Sequence, residues 1–474
     1  MTGPAVSLAP VLSPTATSRA LIRLQAAKRR LAHAPSSVRS GRLVRVNGLI
    51  LEVEGLPLAI DQRALIRTGD GRTIEACCVS FHHGITQLMA LDAETNVGPG
   101  ALVYPAGTPA DAGDRFELMD RRRAMPIGLS LLGRIVDGFG RPLDDLPITL
   151  SAAPGQGSGR LNPLTRTQID QPMDVGVRAI NGLLTVGRGQ RMGIFAGTGV
   201  GKSLLLGMLA RNSRADVVVV ALIGERGREV REFVEDILGA EALKHSVLVV
   251  ATADSAPLAR VRGAWFATDV ATWFRDQGHH VLLIMDSLSR FAMAQREIAL
   301  GLGEPPVARG YPPSVFQRLP ELVERVGNSD VSGGSVTAFY TVLLDDDDSS
   351  DPLADTARGV LDGHVFLSRT LAEAGHYPAI DIERSISRVM PRVVSTEQVT
   401  QARLVKRLFG RYMRGRDMVA MGAYSPGADP ELDAALRCWP AIASFLQQPA
   451  NEAVNLGAAL AELAALSLET QRGN

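Results

Sequence analysis

A chain of 474 residues with 46% hydrophobic and 21% charged content has a globular composition and is too long for one ordinary domain. Fifty basic and fifty acidic residues cancel, which excludes the global positive charge that drives non-specific nucleic-acid binding. Three cysteines (Cys77, Cys78 and Cys438) cannot build a disulfide framework and match no zinc spacing, so a reducing cytoplasm is expected.

Residues 1–17 are rich in Pro, Ser, Thr and Ala and read as a disordered tail. They lack an early positive charge, and Pro4, Pro10 and Pro14 interrupt the apolar residues, which argues against a signal peptide. A short helix is predicted next. Leu21, Leu24, Ala27 and Leu31 share one side at helical spacing, with Arg19, Arg23 and Arg30 on the other. Two readings stay open: a solvated basic helix packing weakly on the body, or a docking helix for a partner or anionic lipid. Tail and helix together span residues 1–36.

Residues 37–108 read as strands split by turns: GRLVRVNGLILEVEG, QRALIRTGDG, RTIEACCVSFHHG, ITQLMALD and ALVYPAG. Gly48, Gly55, Asp70-Gly71 and Gly84 punctuate them, and so many strands in so short a span predict a small closed barrel. Cys77 and Cys78 are adjacent in a strand and point to opposite faces as packing residues. His82-His83 falls at a turn and is assigned no chemistry. A linker with Arg121-Arg122-Arg123 leads into a central region, taken as 109–392. There RMGIFA, DVVVVALIG, SVLVVAT, HVLLIMD and SVTAFYTVLL alternate with helical segments, as a parallel sheet covered on both faces requires. Residues 393–474 read as helical, with a turn at 425–433. Leu456 to Leu468 carries Glu462 and reads as a packed helix, and no stretch reaches the roughly 18 apolar residues of a membrane span.

The strongest chemical signal is Ala196-Gly197-Thr198-Gly199-Val200-Gly201-Lys202-Ser203, between a strand and a helix. Glycines let backbone N–H groups converge on phosphate oxygens, and the helix N-terminus adds a favourable dipole. In this P-loop pattern Lys202 reaches the β- and γ-phosphates of ATP and the Ser203 hydroxyl ligates Mg2+. Ala196 stands where the strict pattern has glycine, at the position that starts the turn. Asp286 closes HVLLIMD, a strand expected beside the P-loop strand, and suits a magnesium-holding carboxylate. Glu225, at the tip of DVVVVALIG, is the candidate for polarising the attacking water, since ligands bind at the carboxyl ends of such strands. Glu229 and Glu232 fit a solvated loop feeding a helix. The run Asp345–Asp348 reads as a solvated acidic loop rather than a metal site.

GLLTVGRGQRMGIFAGTGVGKS, LIGERGREVREF, LLIMDSLSRFAMAQREIALGLGEPP, GYPPSVFQRLP and LAEAGHYPAIDIERSISR resemble the flagellar protein export ATPases. That family belongs with the subunits of rotary ATP synthases and the ATPases of type III secretion injectisomes. The resemblance runs from about residue 40 to 435. It implies an α/β fold: a RecA-like P-loop ATPase core with a parallel sheet, a small N-terminal β-barrel before it and a helical C-terminal domain after it. It implies that Tyr377 stacks on adenine, that Arg226 orients Glu225 or the phosphates, and that Arg388 is an arginine finger reaching a neighbouring subunit's site. It also implies a homohexamer, a stator-like regulatory protein at the N-terminal helix, export-gate components and chaperone–substrate complexes. The location implied is cytoplasmic, peripheral at the inner face of the cytoplasmic membrane.

Two alternatives within the fold are an injectisome ATPase and a rotary synthase subunit. A more distant one is an RNA translocase of the terminator type, whose barrel needs exposed aromatics to stack bases. Residues 37–108 hold only Phe81 and Tyr104, so no nucleic-acid partner is expected.

Overall fold

The computed structural model describes residues 39–92, 96–106, 125–148, 166–329, 331–344 and 351–472. The predicted tail and helix of residues 1–36, the Arg121–Arg123 linker and the Asp345–Asp348 run lie outside them. The chain divides into two compact units, each described by itself.

The first unit is a closed antiparallel barrel. Its strands are β1 (Gly41–Asn47), β2 (Ile50–Glu54), β3 (Arg63–Arg67), β4 (Thr73–His82), β5 (Ile85–Ala90) and β6 (Leu102–Pro105), ordered β1-β2-β5-β4-β3-β6, with β6 pairing back onto β1. Apolar residues at alternate positions supply the core: Leu43, Val53, Ala64, Ile66, Leu88 and Val103 are each at most 1% exposed. The β4–β5 turn is made by His83 (φ 45°) and Gly84 (φ 79°), the left-handed pair that a two-residue hairpin needs. Cys77 and Cys78 are both buried. Their side chains leave opposite faces of β4, and the segment before β3 covers the second face, Cys78 Sγ lying 3.7 Å from the Leu58 carbonyl.

The second unit is built on an eight-stranded sheet. In chain order its strands are β7 (Arg134–Asp137), then β10 (Arg191–Ala196), β11 (Val217–Ile223), β12 (Ser246–Ala251), β13 (His280–Asp286), β14 (Ser335–Leu343), β15 (Gly363–Leu367) and β16 (Ile380–Ser387). A separate two-stranded ribbon pairs β8 (Pro172–Met173) with β9 (Val186–Gly187). The sheet order is β16-β15-β10-β14-β13-β11-β12-β7. All neighbours are parallel except β16, which runs antiparallel along β15. Every residue of β11 is buried, because helix Pro257–Asp276 packs on β11, β12 and β13 while the P-loop helix Lys202–Asn212 covers the sheet from the other face.

The last segment forms helices Thr396–Ala420, Pro430–Leu446 and Leu456–Arg472. Asp429 caps the second helix, its carboxylate accepting from the N–H groups of Glu431 and Leu432. Tyr412 and Trp439 stack at 3.7 Å between ring centres and join the first two helices. Among the described residues no helix is long and apolar enough to cross a membrane.

Candidate nucleotide site

β10 ends at Ala196, fully buried, whose carbonyl accepts from Leu344 N–H at 3.0 Å. The chain then turns through Gly197, Thr198 and Gly199 and enters the helix at Lys202. Gly199 (φ 77°) and Gly201 (φ 86°) adopt left-handed backbone, which other L residues take only under strain. Val200 is 2% exposed and roots the loop in the core, while Thr198 and Gly199 stay exposed. A buried anchor under an open crest leaves the crest's backbone accessible, as a phosphate cradle requires.

Beneath the loop, Lys202 Nζ bridges two carboxylates, Asp286 Oδ1 at 2.5 Å and Glu225 Oε1 at 3.1 Å. Burial works against the lysine's charge, but the two carboxylates outweigh it and its pKa rises. Burial, then the charge of Asp286, pushes the Glu225 carboxyl up to about 7 against the pull of Lys202. Glu225 also hydrogen-bonds the Glu229 carboxyl, which lowers the pKa of Glu229. The Glu225 carboxyl is thus pushed up and its Glu229 partner down, close to the Lys202 cation, a perturbation common where protons are handled.

Asp286 does not close the strand next to the P-loop strand: β14 lies between β10 and β13. β14 also brings in a residue that the sequence pattern does not single out. Thr341, on the intervening strand, donates its hydroxyl to Asp286 Oδ1 at 2.6 Å. Its only sequence signal was a polar residue inside the apolar run SVTAFYTVLL.

Tyr377 follows the Ser368–Gly375 segment, and its ring lies against the P-loop. A Cβ built on Gly201 would meet two of its ring carbons at 3.1 and 3.2 Å. The tyrosine is 37% exposed, so part of the ring stays open. A guanidinium nitrogen of Arg369 lies 3.7 Å from the position of a Cβ on Gly197, a second neighbour of the loop that the motif did not reveal.

Two predicted residues are not gathered here. Arg226 is exposed and pairs with Glu229 at 3.6 Å, the carboxylate that shares a hydrogen bond with Glu225. Arg388 follows β16, whose antiparallel course carries it to the opposite end of the sheet, where Ser387 pairs with Gly363 at the start of β15. There its guanidinium donates to the carbonyls of Leu361 (3.2 Å) and Arg358 (3.3 Å).

The residues fit magnesium in their chemistry. Ser203 is exposed in the first turn of the P-loop helix, and Asp286 has one oxygen engaged by Thr341 and Lys202 and a second to offer. A hydroxyl and a carboxylate are the hard oxygen donors this ion takes alongside water and phosphate oxygens. Among the described residues, no cluster of three or more His, Cys, Asp or Glu forms a metal cage.

A glycine-rich loop between a buried strand and a helix, with its lysine set between two strand-end carboxylates, defines a P-loop nucleoside triphosphatase. Known proteins agree. Residues 176–387 match the nucleotide-binding domain of the ATP synthase alpha/beta family, and residues 394–465 match the C-terminal domain of the type III secretion ATPase EscN. The chain is 52% identical over 438 residues to the flagellum-specific ATP synthase of Salmonella typhimurium, covering 92% of this chain and 95% of that protein. It is 43% identical over 435 residues to the type 3 secretion system ATPase of Xanthomonas euvesicatoria, covering 90% and 93%. The assembled ATPase EscN of the enteropathogenic E. coli type III secretion system superposes with a TM-score of 0.81 at 40% identity, covering 90% of this chain and 100% of that one. This chain belongs to the family of flagellum-specific ATP synthases and type III secretion ATPases, and it is an ATPase.

Proposed function

We propose that the chain hydrolyses ATP with magnesium at sites shared between neighbouring copies of a homohexamer. Hydrolysis would drive or assist export of flagellar proteins through the flagellar type III secretion apparatus. The observation that carries the shared-site reading is the position of Arg388, at the end of the sheet away from its own P-loop. An arginine there serves a neighbour's site or none.

In this reading each residue has one task. The crest from Ala196 to Gly201 holds the polyphosphate through backbone N–H groups, and Lys202 leaves its carboxylates for the β- and γ-phosphates. Ser203 and Asp286, the latter steadied by Thr341, hold Mg2+, which when bound neutralises charge on the phosphate oxygens. Glu225 in its carboxylate form accepts a proton from the attacking water as that water adds to the γ-phosphorus and the bond to ADP breaks, with Glu229 and Arg226 setting its orientation. Tyr377 stacks on the adenine, and Arg388 of the adjoining copy stabilises charge on the transferring phosphoryl group.

Relatives support the setting. EscN has been solved assembled and in complex with its central stalk EscO. Identity to the flagellum-specific ATP synthases runs from 43% to 52%, against 43% to the Xanthomonas secretion ATPase, which favours the flagellar branch. The partners that follow are a stator-like regulatory protein at the N-terminal helix, export-gate components and chaperone–substrate complexes, at the inner face of the cytoplasmic membrane. The test has two arms. The purified chain should hydrolyse ATP with Mg2+, lose this with chelator or in Lys202→Ala, and associate with flagellar export components. Hydrolysis without association would overturn the export role, and Mg-independent hydrolysis would overturn the chemistry.

A further inference from the structure

The segment Gln447–Pro449 follows helix Pro430–Leu446 and returns to the nucleotide site from the far end of the sequence. Gln448 is 3% exposed, and both polar atoms of its side chain are engaged. Oε1 accepts from Arg178 N–H at 2.7 Å. Nε2 donates to the carbonyls of Gly176 and Glu452, both at 2.9 Å. Its backbone N–H then donates to the carbonyl of Tyr377 at 3.0 Å. Gln447 adds a second tie, Nε2 donating to His376 Nδ1 at 3.3 Å. Burial pushes the His376 imidazole below its ordinary pKa, which suits a neutral ring accepting at Nδ1.

A primary amide taken out of water costs free energy unless its hydrogen bonds are made. Leucine or methionine would fill the same volume without that demand. The amide instead clamps residues 176–178 and 452 to the one segment whose N–H holds Tyr377. We propose that Gln448 is a positioning residue for nucleotide binding, its side-chain network fixing the backbone that sets the tyrosine ring over the P-loop, where a purine base stacks. This rests on the reading of Tyr377 as the base-stacking residue. The anchor is local: the ring lies against Gly201, so a small shift of the Tyr377 carbonyl changes the space left for a base while the phosphate cradle is untouched.

Inorganic tripolyphosphate separates the two halves of the site, because it engages the cradle and has no base. The full-length chain with Mg2+ is titrated with ATP and with tripolyphosphate, as wild type, Tyr377→Ala, Gln448→Ala and the double variant. Loss of base–aromatic stacking weakens binding roughly tenfold, so Tyr377→Ala should bind ATP about that much more weakly and tripolyphosphate as wild type does. Gln448→Ala should move the same way. The double variant should be no weaker than Tyr377→Ala alone, since the two act through one contact. In turnover the KM for ATP rises while kcat at saturation holds. Additive losses, or equal losses of ATP and tripolyphosphate in Gln448→Ala, mean a merely structural glutamine and overturn the proposal. Unchanged ATP affinity in Tyr377→Ala overturns the stacking reading and the proposal with it, whereas a loss in Tyr377→Ala but not in Gln448→Ala overturns the proposal alone. Should Gln448→Ala not fold, the exposed Gln447→Leu removes only the tie to His376. It should weaken ATP binding by a smaller factor and spare tripolyphosphate, and unchanged ATP affinity in it would decide against the proposal.

Discussion

Replacing Arg388 by alanine separates a site completed within one chain from a site completed by two. Within one chain, Met192 pairs with Gly363, which pairs with Ser387. Four residue steps along β10 then lead from Met192 to Ala196, so Arg388 starts on the order of 13 Å from the P-loop at about 3.3 Å per residue. Its guanidinium is turned onto the carbonyls of Leu361 and Arg358. If a neighbour's phosphoryl group is its target, Arg388→Ala loses roughly 10³–10⁵ in kcat, about 4–7 kcal/mol of transition-state stabilisation. ATP binding should stay close to wild type. The assay is steady-state hydrolysis beside ATP titration, followed by mixing with Glu225→Gln. Each variant is inactive alone. A site with Glu225 from one chain and Arg388 from the next forms at about one interface in four in a random equal mixture around a ring. Recovery of up to about a quarter of wild-type activity is therefore expected. Full activity in Arg388→Ala, or a co-assembled mixture as inactive as its components, would refute the reasoning.

Other predictions follow from single contacts. The Glu225 carboxyl, raised to about 7 from 4.5, keeps a proton in the folded chain that the unfolded chain releases. Between those values stability therefore falls as pH rises, and kcat/KM should climb with an apparent pKa near 7; thermal unfolding of Glu225→Gln against pH should lack that component. Gly201→Ala sets a Cβ 3.1 Å from the Tyr377 ring at φ 86°, so ATP binding measured by calorimetry should weaken about tenfold or more. Thr341→Val removes the 2.6 Å hydrogen bond to Asp286, and the Mg2+ concentration for half-maximal hydrolysis should rise several-fold. Gly207→Ala drives a Cβ to 2.0 Å from Ile237 Cγ2, an overpacking cost of about 1–3 kcal/mol that thermal melting should show and that Ile237→Ala should partly relieve.

What could be read in advance follows the range of the interaction involved. The phosphate loop was legible because strand, glycine turn, lysine and helix are contiguous from Arg191 to Asn212. The barrel was legible because its alternation and turn glycines are local. Glu225 stood out because a charge at the tip of seven buried residues needs a reason. The neighbours of these groups were not legible, because sheet order, not sequence distance, supplies them. β14 inserts Thr341 between the P-loop strand and Asp286, and Glu229, read as a solvated loop residue, turns back to share a hydrogen bond with Glu225. Gln448 reaches Tyr377 across 71 positions of sequence. β7, β15 and β16 were missed as strands, being short or, in β16, interrupted by a bulge opposite His364 to Phe366. Arg226, which the resemblance implies orients Glu225 or the phosphates, is exposed and pairs with Glu229.

The most direct test of shared magnesium-dependent sites is the rate of ATP hydrolysis per mole of chain across a wide range of protein concentration, with Glu225→Gln as the control. The account predicts specific activity that rises with concentration as copies assemble and vanishes in the variant. Activity that is independent of concentration, with Glu225→Gln still turning over, would contradict both the shared site and the assigned base.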